Sequence, residues 1–242
     1  GGAIYWAGDK GKLLSSSFMN NTAGASGGAI FWFGDDGYIG NGSSFMMNNA
    51  TENGGAVAWF TNGAVGGHNG VIDNSTFMMN SAGKNGGAVF WQSPDGTLKN
   101  SRFMFMNSAT QNGGAVFWFA ENGVIDNSSF AMSSINGDLG GALFSQGENL
   151  TIKDSSFMMN FAANGGAVAL LAKATIDNST FTFLNTAKNY GGAIYIDSDV
   201  SISNSTIAYN NATIGKGIYV NSGKLSLQNN TINNASADIV LS

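Results

Sequence analysis

The tetrapeptide Gly-Gly-Ala followed by Ile, Val or Leu returns along this chain at nearly constant spacing. No other feature constrains the fold as tightly. It stands at Gly1-Gly2-Ala3-Ile4, again from residues 27, 54, 86, 113, 140, 165 and 191, and in a worn copy at Gly215-Lys216-Gly217-Ile218. Steps of 24 to 32 residues between copies imply one supersecondary unit stacked on copies of itself. The 242 residues therefore read as a single repeat domain, with coils starting near 1, 27, 54, 86, 113, 140, 165, 191 and 215. An insertion at 61–70 lengthens the third coil to 32 residues.

A second landmark lies between the Gly-Gly pairs: Phe18, Phe45, Phe77, Phe103, Phe130, Phe157 and Phe181, then Ile207 and Ile232. Five residues earlier an aliphatic residue stands in eight of nine coils, and three residues later Asn recurs (Asn21, Asn48, Asn80, Asn160, Asn210). Phe105-Met106 and Phe183-Leu184 insert one residue before this Asn, and Ser133 replaces it once. These spacings predict three short strands per coil, of the types Gly-Gly-Ala-Val-Phe-Trp, Val-Ile-Asp and Ser-Ser-Phe-Met-Met. Asn, Ser and Gly fill the corners, where turn or left-handed backbone is needed. No helical period survives. The expected fold is all-β: one parallel β-helix of about nine coils, a rod ~43 Å long at sheet spacing. Stacking puts like on like, so the Phe landmark should form an internal ladder. The corner residues Asn74, Asn100, Asn127, Asn178, Asn204 and Asn229 should form a buried amide ladder.

Parity in the last coils points the aliphatics of Ile194-Tyr195-Ile196 and Ile218-Tyr219-Val220 inward and the tyrosines outward. Carried back, the five Trp residues face inward, and Tyr5, Phe31, Phe90, Phe117, Phe144, Tyr195 and Tyr219 form an outward column. Opposite parity would make the outward column Trp instead. On the Phe strand Met19, Met46, Met78, Met104 and Met158 point outward, and Met47, Met79 and Met159 inward. A solvated sheet face is normally polar, so this much outward apolar surface suggests a covered face. Bulges at glycines that tuck some of these groups inside are the alternative.

Composition limits the chemistry. Charged residues are only 10% of the chain and the net charge is −5, against the basic stripe that nucleic acid or anionic lipid requires. With no cysteine there is no disulfide framework, and no apolar run is long enough for a membrane-spanning helix. Asp73, Asp126 and Asp177 share a coil position with Lys99 and Lys153, which reads as an alternating salt-bridge column on a solvated face. His68, the single histidine, sits in the insertion without partners. Asp35-Asp36-Gly37 reads as a turn. No catalytic, cofactor-binding or metal-ligating set is expected, and flat Thr ladders are absent. Among many Asn-x-Ser/Thr sequons, Asn20, Asn49, Asn149 and Asn211 are the better glycosylation candidates.

Gly-Gly-Ala-Ile and Phe-x-x-Asn in tandem resemble the β-helix repeats of chlamydial polymorphic membrane proteins. They resemble more closely the adhesin-like surface proteins of methanogenic archaea, as in Gly191-Gly192-Ala193-Ile194-Tyr195-Ile196 followed by Val200-Ser201-Ile202-Ser203-Asn204-Ser205-Thr206. The resemblance spans essentially the whole chain. It implies a right-handed β-helix, secretion, and an extracellular role at the cell surface in adhesion or envelope structure. The Trp and Met columns depart from that pattern.

The chain opens inside a repeat, as a processed product or excised segment does, and ends on Ala237-Asp238-Ile239-Val240-Leu241, which reads as the start of another strand. No capping helix is evident. Open ends and outward apolar columns predict a homo-oligomer or filament. An adhesin stalk binding glycans or a partner cell through its aromatic column is the alternative expectation. A polysaccharide-active enzyme is disfavoured by the sparse, scattered carboxylates.

Overall fold

Each coil turns at four kinds of corner, and most corners turn on a residue in the left-handed region. The computed structural model describes residues 1–61, 66–236 and 238–242. In coils two to nine the first glycine of the repeat, from Gly27 to Gly215, has φ between 62° and 72°. The next corner uses Asp36, Asn69, Asp95 or Asn122, and the one after it Asn41, Asn74, Asn100 or Asn127. Gly, Asn and Asp occupy this region at the least steric cost. At the fourth corner, after the Phe strand, the residue is instead Met47, Met79, Met132, Met159 or Tyr209.

Strands of two to five residues join these corners and stack in parallel into four sheets. The Gly-Gly-Ala strands form a ten-stranded sheet, from Ile4–Trp6 to Ile239–Leu241. The aliphatic strands (Lys12–Leu14 to Leu225–Gln228) and the Phe strands (Ser17–Met19 to Thr231–Asn233) form nine-stranded sheets. A seven-stranded sheet runs from Thr22–Ala23 to Thr186–Tyr190. No helix occurs among the described residues. The parallel solenoid of about nine coils is as expected, and Ile239–Leu241 does add a strand to the first sheet.

The expectation of three strands per coil is corrected to four in seven coils. The extra strand is mostly two residues long, with one inward Ala such as Ala50 or Ala82. That is too short to display a period. Of the insertion 61–70, residues 62–65 lie outside the described residues, as does Ala237. Val71–Asp73 resumes the register of Tyr38–Gly40 beyond it.

Register makes the core a set of columns. Phe18 through Phe181 stack ring on ring with centroids 4.7–5.1 Å apart and planes within 7°. Trp6, Trp32, Trp59, Trp91 and Trp118 stack at 4.7–4.9 Å. The spacing is that of neighbouring strands. Four of the five indoles are fully buried, so the inward parity of Trp holds.

Each tryptophan fits because a glycine stands across the coil from it. A Cβ on Gly11, Gly37, Gly70, Gly96 or Gly123 would lie 2.3–2.5 Å from the indole of the same coil. From the sixth coil onward Ser145, Leu170, Ile196 and Val220 continue the Trp column. At the glycine position stand Leu150, Ala174, Val200 and Leu225. Volume lost on one side is regained on the other, which keeps the core close-packed. Gly96→Val alone should therefore destabilise by about 2–3 kcal/mol through overpacking. In a Trp91→Leu background most of that cost should vanish, a coupling of at least about 1 kcal/mol in a urea-unfolding double-mutant cycle. Simple additivity would contradict the pairing.

Polar groups inside the coil are satisfied by their own column. Asn80 is fully buried. Its Nδ2 donates to the Phe45 carbonyl and to Asn107 Oδ1, both at 3.0 Å, and its Oδ1 accepts from the backbone N and Nδ2 of Asn48, also at 3.0 Å. Asn160, Asn185 and Asn210 repeat the pattern.

The buried amide ladder is thus the Phe-x-x-Asn column, and the expectation that placed it at Asn74, Asn100, Asn127, Asn178, Asn204 and Asn229 is corrected. Those residues are exposed, with φ between 43° and 54°. A left-handed corner turns its side chain outward. There they bond along the surface, as Asn127 Nδ2 does to Asn100 Oδ1 at 2.8 Å.

Candidate interaction surfaces

The outward column of the first sheet exists, but most of it is already in contact with itself. Phe60 leaves its strand and fills the gap over Ala58, with its ring 4.8 Å from Phe31 and 5.2 Å from Phe90. A continuous stack then runs from Tyr5 through Phe31, Phe90 and Phe117 to Phe144. Phe90, Phe117 and Phe144 are only 8%, 6% and 2% exposed and form an apolar cluster with Ala169, flanked by Phe60, Leu139, Leu171 and Tyr195. Phe90, Phe117 and Phe144, expected in an outward interaction column, are thus covered within the molecule itself. Rings above and below take their faces, and residues beyond the strand take their edges. Tyr5 is exposed, while Phe31, Tyr195 and Tyr219 are half-buried. Burial, then the nearby charge of Asp197, pushes the Tyr195 phenol up.

On the Phe sheet Met19 is exposed and Met46, Met78, Met104 and Met158 are half-buried, all on the outer side. Met47, Met79 and Met159, expected inside, are exposed. They are the left-handed corner residues, with φ of 53° or 54°, and that conformation swings them out. Phe105, Met106, Phe183, Leu184 and Tyr209 sit at the same corner, also exposed. The sequence carried a signal for these: the doubled residue just before the buried Asn in two coils.

The charged column is as read. Lys99 lies 3.6 Å from Asp73 and Lys153 3.1 Å from Asp126. These are partly exposed pairs that contribute little each. Asp177 accepts from Ser203 Oγ at 2.7 Å and Asn204 Nδ2 at 2.8 Å, and these bonds hold its carboxyl below the usual range. A depressed folded-state value means that its contribution is present above the unfolded-state pKa and lost as pH falls through the lower one.

Asp35-Asp36-Gly37 is a turn with φ of 53° at Asp36, and Asp35 Oδ1 accepts from the His68 backbone N at 2.8 Å. Asn20, Asn49, Asn149 and Asn211 are all exposed. Among the described residues no three His, Asp or Glu side chains gather as metal ligands, and no helix is long and apolar enough to cross a membrane. The molecule belongs to the class of parallel β-solenoid repeat proteins. No protein family, curated protein or solved structure matches the chain.

Proposed function

We propose that this chain is a non-enzymatic, extracellular structural or adhesive β-solenoid, a subunit or segment of a cell-surface filament or envelope fibre. The observation that carries the reading is the line of exposed Met, Phe, Leu and Tyr side chains along one corner of the rod. Exposed apolar surface of this extent marks contact with another macromolecule. The tandem Gly-Gly-Ala and Phe-x-x-Asn resemblance to surface adhesins supports the extracellular setting. The alternative, a stalk that stacks sugars on its aromatic column, is weakened because Phe90, Phe117 and Phe144 are covered within the molecule.

Electron microscopy of the purified chain, with its mass in solution, tests the proposal. Filaments or bundled rods built on a ~43 Å unit are expected. Single discrete rods at every concentration would overturn it, and retention on a glycan array would then favour the stalk.

A further inference from the structure

The four corners of the coil differ in a way that the fold itself does not require. Three of them place mostly Gly, Asn or Asp in the left-handed region, where the cost is least. The corner after the Phe strand places Met47, Met79, Met106, Met159, Leu184 and Tyr209 there, with φ of 53–62°. These residues are 40–67% exposed. Strained backbone and exposed apolar groups recur in successive coils. Asn20 shows that Asn fits the same corner, with φ of 56°. Strain retained where a cheaper residue would serve marks a functional surface.

We propose that this ridge is a lateral interface between two copies of the chain, related by a two-fold axis near its middle coil, at Met132. The proposal deepens the assembly reading above and rests on it. Three observations choose a second copy as the occupant. First, the area suffices. Eight side chains at these exposures, with Phe105 and Phe183, present on the order of 900 Å² at about 200 Å² per large residue, near the ~800 Å² per partner of a stable interface.

Second, the spacing matches. Side chains rise along the ridge at one coil per ~4.8 Å, and a copy of the same solenoid has the same rise, so its side chains interdigitate over the whole length. Third, the charge permits it. The outward Phe-strand positions from Ser17 to Asn233 carry one charged residue, Arg102, and no carboxylate. Two chains of net charge −5 can meet there without opposing acidic groups. Methionine, flexible and polarizable, suits such a self-complementary surface.

The chain has no cysteine, so single cysteines report the contact directly. Met132→Cys should cross-link to a disulfide dimer under mild oxidation, and Thr175→Cys, on the aliphatic sheet, should not. Cross-linking by Met132→Cys but not by Met79→Cys means antiparallel copies. The antiparallel result is the one expected of a two-fold at Met132; cross-linking by both would mean parallel copies and overturn that axis.

The triple variant Met47→Asn/Met79→Asn/Met159→Asn should lose the lateral pairing of the unsubstituted chain, whether that chain runs as dimers or as double-width filaments. It should melt no lower than the unsubstituted chain's monomer, because Asn suits the corner. An unsubstituted chain that sediments as a monomer, or a triple variant that still dimerises, would overturn the proposal. So would a monomer that floats with phosphatidylcholine vesicles, which would assign the ridge to lipid. In micrographs, single-width filaments from the triple variant would show that end-to-end assembly stands without the lateral pair. Single-width filaments from the unsubstituted chain would refute the pair alone, whereas isolated lateral pairs would refute only the filament.

Discussion

Gly114→Ala should lower the melting temperature by roughly 6–12 °C, the largest single effect expected of so small a change. At this position one added methyl meets backbone. Its Cβ would lie 2.0 Å from the carbonyl oxygen of Gly141 in the next coil and 2.8 Å from that of Ser134. Neither atom moves unless a coil moves. Gly28, Gly55, Gly87, Gly141 and Gly166 meet the next coil in the same way, at 1.9–2.2 Å. The motif's second glycine thus sets how closely coils stack. A cost of at least about 3 kcal/mol is expected, at the upper end for overpacking. For a chain of this size each 1 kcal/mol shifts the melting temperature by about 2–4 °C. Gly24→Ala is the control, since nothing lies within 4 Å of its Cβ. It should be neutral or slightly stabilising, by up to about 1 kcal/mol. Equal melting temperatures for the two variants would contradict the close-approach account.

Asn80→Ala should cost about 3–4 kcal/mol in chemical denaturation, because its neighbours lose partners they cannot replace. The backbone N of Asn48 and the Phe45 carbonyl both rely on the Asn80 amide, inside the core. Each buried group left unpaired costs about 1–3 kcal/mol. Asn74→Gly, six residues earlier at an exposed left-handed corner, should stay within about 0.5 kcal/mol.

The same column yields a gain. Ser133 interrupts it: Ser133 Oγ is buried without a partner, and Asn107 Nδ2, which donates to the Phe77 and Met104 carbonyls, meets no amide oxygen in the next coil. Ser133→Asn should close the ladder and stabilise by about 1 kcal/mol. A loss there would mean that the serine marks a packing limit rather than a gap.

The repeat made most of the fold legible. Gly-Gly-Ala set the coil length, and the Phe series set the register. The Ile-Tyr-Ile parity of the late coils placed the tryptophans inside, where all five stack. What escaped was corner geometry. Period-two alternation holds along a strand and fails at a residue with positive φ, so it points Met47, Met79 and Met159 inward although they face out. The two Asn columns were exchanged for the same reason: Asn74 is the turning residue, whereas Asn80 follows one.

The covering of Phe90 and Phe117 depended on Phe60, Leu139 and Leu171, which lie outside the strands, beyond the reach of alternation. The exchange of Trp for Ser145 or Ile196 against Gly for Leu150 or Val200 can be read in the aligned repeats. It is a volume rule, visible only when two positions of one coil are compared across coils.

The stacked-coil architecture underlies every inference above, and one distance measures it. Asn49 and Asn211 are 162 residues apart in sequence. Both are exposed and lie on one column, linked through Ser81, Ser108, Ser134, Phe161 and Thr186. Six coil steps separate them, about 29 Å at ~4.8 Å per step. With no native cysteine, Asn49→Cys/Asn211→Cys can be spin-labelled cleanly and the separation read by pulsed dipolar spectroscopy, with dilution in unlabelled chain to isolate the intramolecular distance. A narrow distribution centred near 29 Å, widened only by the label arms, is the expected result. A broad distribution, or a mean beyond about 45 Å, would contradict the solenoid and everything built on it.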